Sequence, residues 1–319
     1  MRRSRSGPLP DWRRPSRRPP ALAPGDTIAV IAPASAAKRA RILRGARNLE
    51  RLGFHVRVLP QAFARNGHFA GTDDRRAAAL RQALGDRSVR AIFLTRGGFG
   101  AARLLPLVGR DLAESGPKIL VGYSDATSLL TFATGKLGWV TFHGPMVATD
   151  FPRLAAVDRV SLLGALRGER PPPIRLGVTL RRGVVEGKIF GGCLSILVSL
   201  LGTPYAVDLS NRIVFLEDVN EEPYSLDRML TQLRQTGQLA KARGIVFGEM
   251  SNCGTRRELL GVLRERTADL GIPVAVGLPS GHGRGKRTVP LGVRARLDTG
   301  RRTLEILESG VSSGRSSSG

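Results

Sequence analysis

Ile119-Leu120-Val121-Gly122-Tyr123-Ser124-Asp125-Ala126-Thr127-Ser128 is the stretch on which the reading of this chain turns. Three apolar residues lead into Gly122-x-Ser124, and the run from 126 to 137 suits a helix. A strand that stops at a glycine and turns sharply into a helix leaves the turn side chain exposed at the carboxyl edge of a sheet. That is the geometry of a nucleophile elbow. A helix beginning at Asp125 aims its first free N–H groups at the same spot, where negative charge is stabilised. The motif is incomplete, because Ala126 stands where Gly-x-Ser-x-Gly has its second glycine. A lone Gly-x-Ser also describes a buried serine at a strand end, so the rest of the chain must supply a base and an orienting group.

Outward from this stretch, strand and helix patterns alternate. Residues 27–32 read as a strand, and 36–52 as a helix with Ile42, Ala46 and Leu49 on one face, ended by Gly53. A strand at 54–58 follows, then a loop, then a helix capped by Thr72 that carries Ala77, Leu80 and Leu84. Strands at 91–95, 119–121 and 139–142 complete a βαβα order, which predicts a mainly parallel sheet with ligands at its carboxyl ends. Pro171-Pro172-Pro173 and poor periodicity mark 151–183 as a linker or surface excursion. Beyond it come a strand at 185–190, a Gly191-Gly192 turn, an apolar helix, and a strand at 213–216 that runs into Glu217-Asp218. Leu226, Met229, Leu230 and Leu233 recur at i, i+3, i+4, i+7 on the next helix. A strand at 244–247, a helix near 256–269, a short strand at 273–276, a loop at 277–286 and final strands at 288–297 and 303–307 close this second unit.

The 319 residues are long for one core and comfortable for two. A hydrophobic fraction of 41% is globular, and the formal charge of +24 invites a nucleic-acid reading. Two features weigh against nucleic acid. The first 20 residues carry seven arginines in a Pro-rich stretch that cannot pack, and aromatics make up only 5% of the chain, too few for a stacking surface. The charge is read as an Arg-rich background plus a basic tail. Cys193 and Cys253 form no C-x-x-C, and the four histidines form no H-x-x-x-H pair, so neither a disulfide framework nor a metal site is expected. No run approaches the ~20 apolar residues of a membrane span, and a soluble, cytoplasmic protein is expected.

Arg96-Gly97-Gly98-Phe99-Gly100 follows a predicted strand. It imitates a dinucleotide loop, but Arg103 occupies the third glycine position. Glycines here suit a backbone that approaches a ligand closely, and one of its N–H groups with that of Asp125 would make an oxyanion hole. His282, in Pro279-Ser280-Gly281-His282-Gly283, sits on a glycine-flanked loop suited to a site residue. His143, before Gly144-Pro145, is the rival base; His55 in a strand and His68 in a surface loop are weaker candidates. Glu217 leaves a predicted strand and could orient the base, with Asp218, Glu221 and Glu222 as alternatives.

Taken together, Gly25-Asp26-Thr27 through Pro33-Ala34-Ser35, Phe69-Ala70-Gly71-Thr72-Asp73, Arg96-Gly97-Gly98-Phe99-Gly100, Gly122-Tyr123-Ser124-Asp125, His143-Gly144-Pro145-Met146, Gly202-Thr203-Pro204-Tyr205, Phe215-Leu216-Glu217-Asp218, Glu222-Pro223-Tyr224 and Gly277-Leu278-Pro279-Ser280-Gly281-His282 resemble, in order, the LD-carboxypeptidase family. The resemblance covers roughly residues 24–308. It implies a two-domain α/β enzyme: a nucleophile domain at 24–150 and a smaller α/β domain of swivelling β/β/α type at 184–308. The basic, Pro-rich 1–23, which has no family counterpart, and the Gly/Ser-rich 309–319 are expected as disordered tails. The resemblance implies a Ser-His-Glu triad, carried over as Ser124, His282 and Glu217, with the N–H groups of Gly98 and Asp125 as the oxyanion hole and no metal or cofactor. The implied reaction releases a terminal D-amino acid from an L–D peptide bond of a muropeptide-like substrate, in a homodimer, with an antibiotic-detoxifying amidase of microcin type as the alternative. Cys193 departs from the pattern, standing where many relatives have asparagine. If Ser124, Glu217 and His282 form one triad, the site lies in the cleft between the domains, with Ser124 Oγ hydrogen-bonded to His282.

Overall fold

The computed structural model describes residues 15–313. Its strands in chain order are β1 Thr27–Ile31, β2 His55–Val58, β3 Val89–Leu94, β4 Ile119–Gly122, β5 Thr141–His143, β6 Ile174–Arg175, β7 Val178–Arg181, β8 Val184–Cys193, β9 Arg212–Val219, β10 Gly244–Ser251, β11 Val274–Val276, β12 Val289–Leu291, β13 Arg294–Asp298 and β14 Thr303–Ile306. The helices are α1 Arg39–Glu50, α2 Asp73–Gly85, α3 Leu105–Ser115, α4 Thr127–Leu137, α5 Ala156–Arg167, α6 Leu194–Ser199, α7 Pro223–Gln235 and α8 Arg256–Thr267.

Local chemistry explains these elements. In α1, Ile42, Ala46 and Leu49 are buried and the arginines between them face water. Thr72 caps α2 by accepting the Arg75 N–H, which satisfies one of the orphan donors of the first turn. Thr255 and Glu258 form a reciprocal capping box on α8. In α7 the residues Leu226, Met229, Leu230 and Leu233 all point inward, as their spacing requires.

Two sheets result. The first has six strands in the order β12-β5-β4-β3-β1-β2, parallel except where β12 pairs antiparallel with β5. The second has eight, in the order β6-β14-β13-β8-β9-β10-β11-β7, with a parallel centre (β8 to β11) and antiparallel flanks. The architecture is two-domain α/β.

The halves are more interwoven than the sequence suggested. Residues 151–183, expected as a linker, hold α5 and the two outermost strands of the second sheet, β6 and β7. The stretch 288–297, expected as one strand, is broken at Gly292, whose φ is +91°. Its first part, β12, joins the first sheet and its second part, β13, joins the second. One buried apolar cluster runs from Val30, Phe93 and Val121 of the first sheet to Ile189, Phe215 and Val246 of the second. A further cluster around Phe190, Leu230 and Phe247 fills the opposite face of the second sheet.

Gly191-Gly192, expected as a turn, instead continues β8 with φ values of +141° and +145°. A side chain at 192 would come within 2.7 Å of Thr127 Oγ1. Glycine there lets β8 lie directly against the start of α4, just beyond the Gly122-x-Ser124 turn. The tails also differ from expectation where they fall within the described residues. Arg17 bridges to Trp139, Pro20 to Ser312, and Leu22 and Val311 are each 2% exposed. Residues 15–23 and 309–313 therefore dock on each other and on the first half. Burial of Leu22 is joined by backbone hydrogen bonds from the Arg17 and Leu22 N–H groups to the Gly138 and Leu166 carbonyls, which hold in place a stretch whose arginines and prolines suggest a loose tail. The rest of the expected tails, 1–14 and 314–319, lies outside the described residues.

Candidate active site

Ser124 follows β4 with φ +62°. For a residue other than glycine this left-handed conformation costs on the order of 1–3 kcal/mol, which the surrounding packing must hold in place. Gly122 and Ala126 make the turn compact: a Cβ at 122 would lie 2.9 Å from that of Ala126. Alanine in place of a second glycine is therefore accommodated.

The Gly97-Gly98 loop, which follows β3, crosses directly over this turn. A side chain at 97 would sit 2.7 Å from Ser124 Oγ and 3.2 Å from the Asp125 backbone nitrogen. The glycine keeps both atoms open. Asp125, 1% exposed, folds its carboxylate back to accept the Ala101 N–H at 2.8 Å, tying this loop to the turn. Burial raises the Asp125 pKa against the opposing pull of the Ala101 and Gly100 N–H groups. Gly98 has φ +105°, and the neighbouring Phe99 N–H donates to Ser35 Oγ, which in turn contacts His68 Nε2 at 2.5 Å.

Glu217 lies inside β9, where the apolar pattern had placed it just beyond the strand end, and it is fully buried. His282 Nδ1 is 2.7 Å from Glu217 Oε2, and His143 Nε2 is 3.4 Å from Glu217 Oε1. Burial alone would push the Glu217 carboxyl upward, but hydrogen bonds from His143 and His282 outweigh it and hold the pKa at about 2. The carboxylate is thus ionised and shared by two imidazoles. His143, the rival base, is 1% exposed, and its other nitrogen meets Ser280 Oγ at 3.2 Å. Asp218 points away from this pair, accepting the Ser195 N–H at 2.7 Å. Cys193 lies beside it, and burial together with Glu217 and Asp218 raises its thiol pKa well above the usual range.

The first half reaches His282 through Tyr123, the residue before Ser124, whose ring meets the imidazole edge-on at 4.9 Å between centroids. The expected Ser124–His282 hydrogen bond is not among those made by the described residues. His282 Nε2, the nitrogen not engaged by Glu217, remains available. Sequence reasoning missed Tyr123, Ser280 and Glu249, which accepts the Gly283 N–H; the first two stand next to Ser124 and close to His282 in the chain, whereas nothing local signals Glu249. Among the described residues no group of three or more His, Cys, Asp or Glu side chains is placed to hold a metal ion.

Comparison with known proteins places this geometry. Residues 28–144 match the model of the LD-carboxypeptidase N-terminal domain, and 186–297 match that of the LD-carboxypeptidase C-terminal domain. A probable murein peptide carboxypeptidase of Bacillus subtilis is 36% identical over 93% of this chain and 96% of its own length. The crystal structure of muramoyltetrapeptide carboxypeptidase from Oxalobacter formigenes superposes with a TM-score of 0.80 at 31% identity, covering 88% of this chain and 97% of that one. The microcin C7 self-immunity protein MccF of Escherichia coli is 28% identical over 91% of this chain and 96% of its own. With a family model on each half and relatives matched over nearly their whole length, the chain belongs to the LD-carboxypeptidase family of serine peptidases and is a carboxypeptidase.

Proposed function

We propose that Ser124 is the nucleophile, His282 the general base and Glu217 its orienting carboxylate, and that the substrate is the tetrapeptide of murein. Ser124 Oγ attacks the carbonyl carbon of the L–D bond while its proton passes to His282 Nε2. The oxyanion meets the N–H groups of Gly98 and Asp125. His282 then hands the proton to the departing amine of the D-residue, and water, activated by the same imidazole, releases the tripeptide from the serine. Glu217 stays ionised throughout and stabilises the imidazolium. The observation that carries this reading is the His282–Glu217 pair at 2.7 Å, with Tyr123 holding the ring beside the Ser124 turn.

The murein reading is preferred to the microcin-type amidase because the carboxypeptidase relatives are nearer in sequence, 36% and 31% identical against 28%. A role in cytoplasmic wall recycling and a homodimeric assembly belong to the same proposal. No helix among the described residues is long and apolar enough to cross a membrane. The test is incubation with murein tetrapeptide, its all-L diastereomer and an aminoacyl sulfamoyl nucleotide, with products read by mass. Loss of one D-alanine from the tetrapeptide alone supports the proposal. Cleavage of the nucleotide conjugate in preference to the tetrapeptide would transfer the assignment to the amidase.

A further inference from the structure

The loop between β11 and β12 carries His282 and, four residues on, Lys286, a lysine only 2% exposed. The proposed chemistry gives Lys286 no task, and a buried ammonium is costly unless something nearby requires it. Its Nζ lies 2.7 Å from Asp150 Oδ1 and 4.1 Å from the centroid of the Tyr123 ring. Asp150 belongs to the first half. Its second oxygen accepts the Met146 N–H at 2.8 Å, and the Tyr123 hydroxyl donates to Oδ1 at 3.3 Å. The Tyr123 ring therefore meets Lys286 and the His282 edge, while its own backbone enters the Ser124 turn. From the second half, Glu249 holds the same loop by accepting the Gly283 N–H.

We propose that Lys286 and Asp150 form a latch across the two halves that sets the distance from His282 to Ser124, with Tyr123 as the spacer. All three are positioning residues. This rests on the reading of Ser124 and His282 as nucleophile and base. The physical case is that Glu217 fixes the direction of the imidazole, and His143 of β5, which meets both Glu217 and Ser280, ties the start of the loop to the first sheet. Beyond His282 the same loop is held to the first half by Lys286, through Asp150 and the Tyr123 ring. The ion pair and the cation–π contact fix that end of the loop around a buried ammonium, where both are strong. A buried ion pair adds little to stability over an apolar substitute, so its use here is geometric specificity.

The test is the rate at which a fluorophosphonate labels Ser124, together with kcat and KM on murein tetrapeptide. The variants are Lys286→Met, Asp150→Asn, their combination, Lys286→Arg, Tyr123→Phe and Tyr123→Leu, each checked by thermal melting. Either single change deprives the remaining charge of its counter-ion and can fail to fold, so the Lys286→Met/Asp150→Asn double variant decides. A latch predicts a folded double variant whose labelling rate and kcat both fall about 10- to 10²-fold, as misplacement by an ångström does, with KM within about threefold of wild type. Tyr123→Leu should fall in the same way, and Tyr123→Phe, which keeps the ring, should fall least. Partial recovery in Lys286→Arg would support a role for the cation itself. A folded double variant that labels and turns over like wild type overturns the latch while leaving the nucleophile reading intact. A wild-type protein that is not labelled at Ser124 overturns both.

Discussion

The carboxyl edges of the two sheets solve opposite problems. At the end of β4 a polar group is presented by the backbone: Ser124 sits at φ +62°, and glycine at 97 keeps its Oγ and the Asp125 nitrogen uncovered. Near the end of β9 a charge is made stable by burial with partners: Glu217 is fully enclosed, yet two imidazoles hold its pKa at about 2. One edge spends conformational strain and stays open; the other has ordinary strand geometry and is sealed. The contrast fits the roles proposed for them, since a nucleophile must present an atom to a substrate, whereas an orienting carboxylate must never meet one.

This contrast can be broken from either side. The largest effect is expected from Ser124→Ala, which should lower kcat by about 10⁴-fold or more with the fold intact; turnover near the wild-type rate would remove Ser124 from the chemistry. Glu217→Gln comes next, with a loss on the order of 10⁴-fold expected of a triad carboxylate. The same variant has a signature in stability. A carboxyl depressed to about 2 in the folded protein contributes stability that is present above its ordinary value of about 4.3 and is lost as pH falls toward the folded value. Melting temperatures of wild type and Glu217→Gln should therefore converge as pH drops from about 4.5 toward 2; a gap that stays constant would mean that the Glu217 carboxyl is not depressed in the folded state.

The open edge is sharpened by Gly97→Ala. The added methyl would lie 2.7 Å from Ser124 Oγ and 3.2 Å from the Asp125 nitrogen. A kcat loss of about 10²-fold is expected, the scale of losing one oxyanion donor; unchanged kcat would mean that this N–H faces no developing charge. The smallest effect belongs to the docked N-terminal segment. Deleting residues 1–23 removes Leu22, buried to 2%, whose burial is worth about 2 kcal/mol. A fall of several degrees in Tm with kcat little changed is expected, and an unaltered Tm would show that the docking contributes nothing.

The same contrast explains what could be read from the chain. The turn at Ser124 was legible because a glycine, a serine and a helix-forming run in immediate succession after apolar residues are a local pattern, and local geometry answers to local sequence. Glu217 was placed beyond its strand because the apolar run ends at Leu216. Nothing near it in sequence reveals that His143 and His282, 74 and 65 residues away, let the strand continue through a buried carboxylate. Gly191-Gly192 looked like a turn because paired glycines usually are one. Here they remove side chains where β8 meets Thr127 of the other half. Residues 288–297 looked like one strand because their apolar alternation does not register that Gly292 sends the chain from one sheet to the other. The basic, Pro-rich start concealed Leu22. Each of these misreadings concerns a contact between segments far apart in the chain, and so does the placement of His282.

The most direct test of the account is to locate the nucleophile covalently. The protein is treated with a fluorophosphonate, digested, and its peptides are mapped by mass, alongside Ser124→Ala, Glu217→Gln and His282→Ala. The account predicts a single adduct on Ser124, absent in Ser124→Ala and formed far more slowly in the other two variants. An adduct on another residue, or labelling of Ser124 at an undiminished rate without His282, would contradict it.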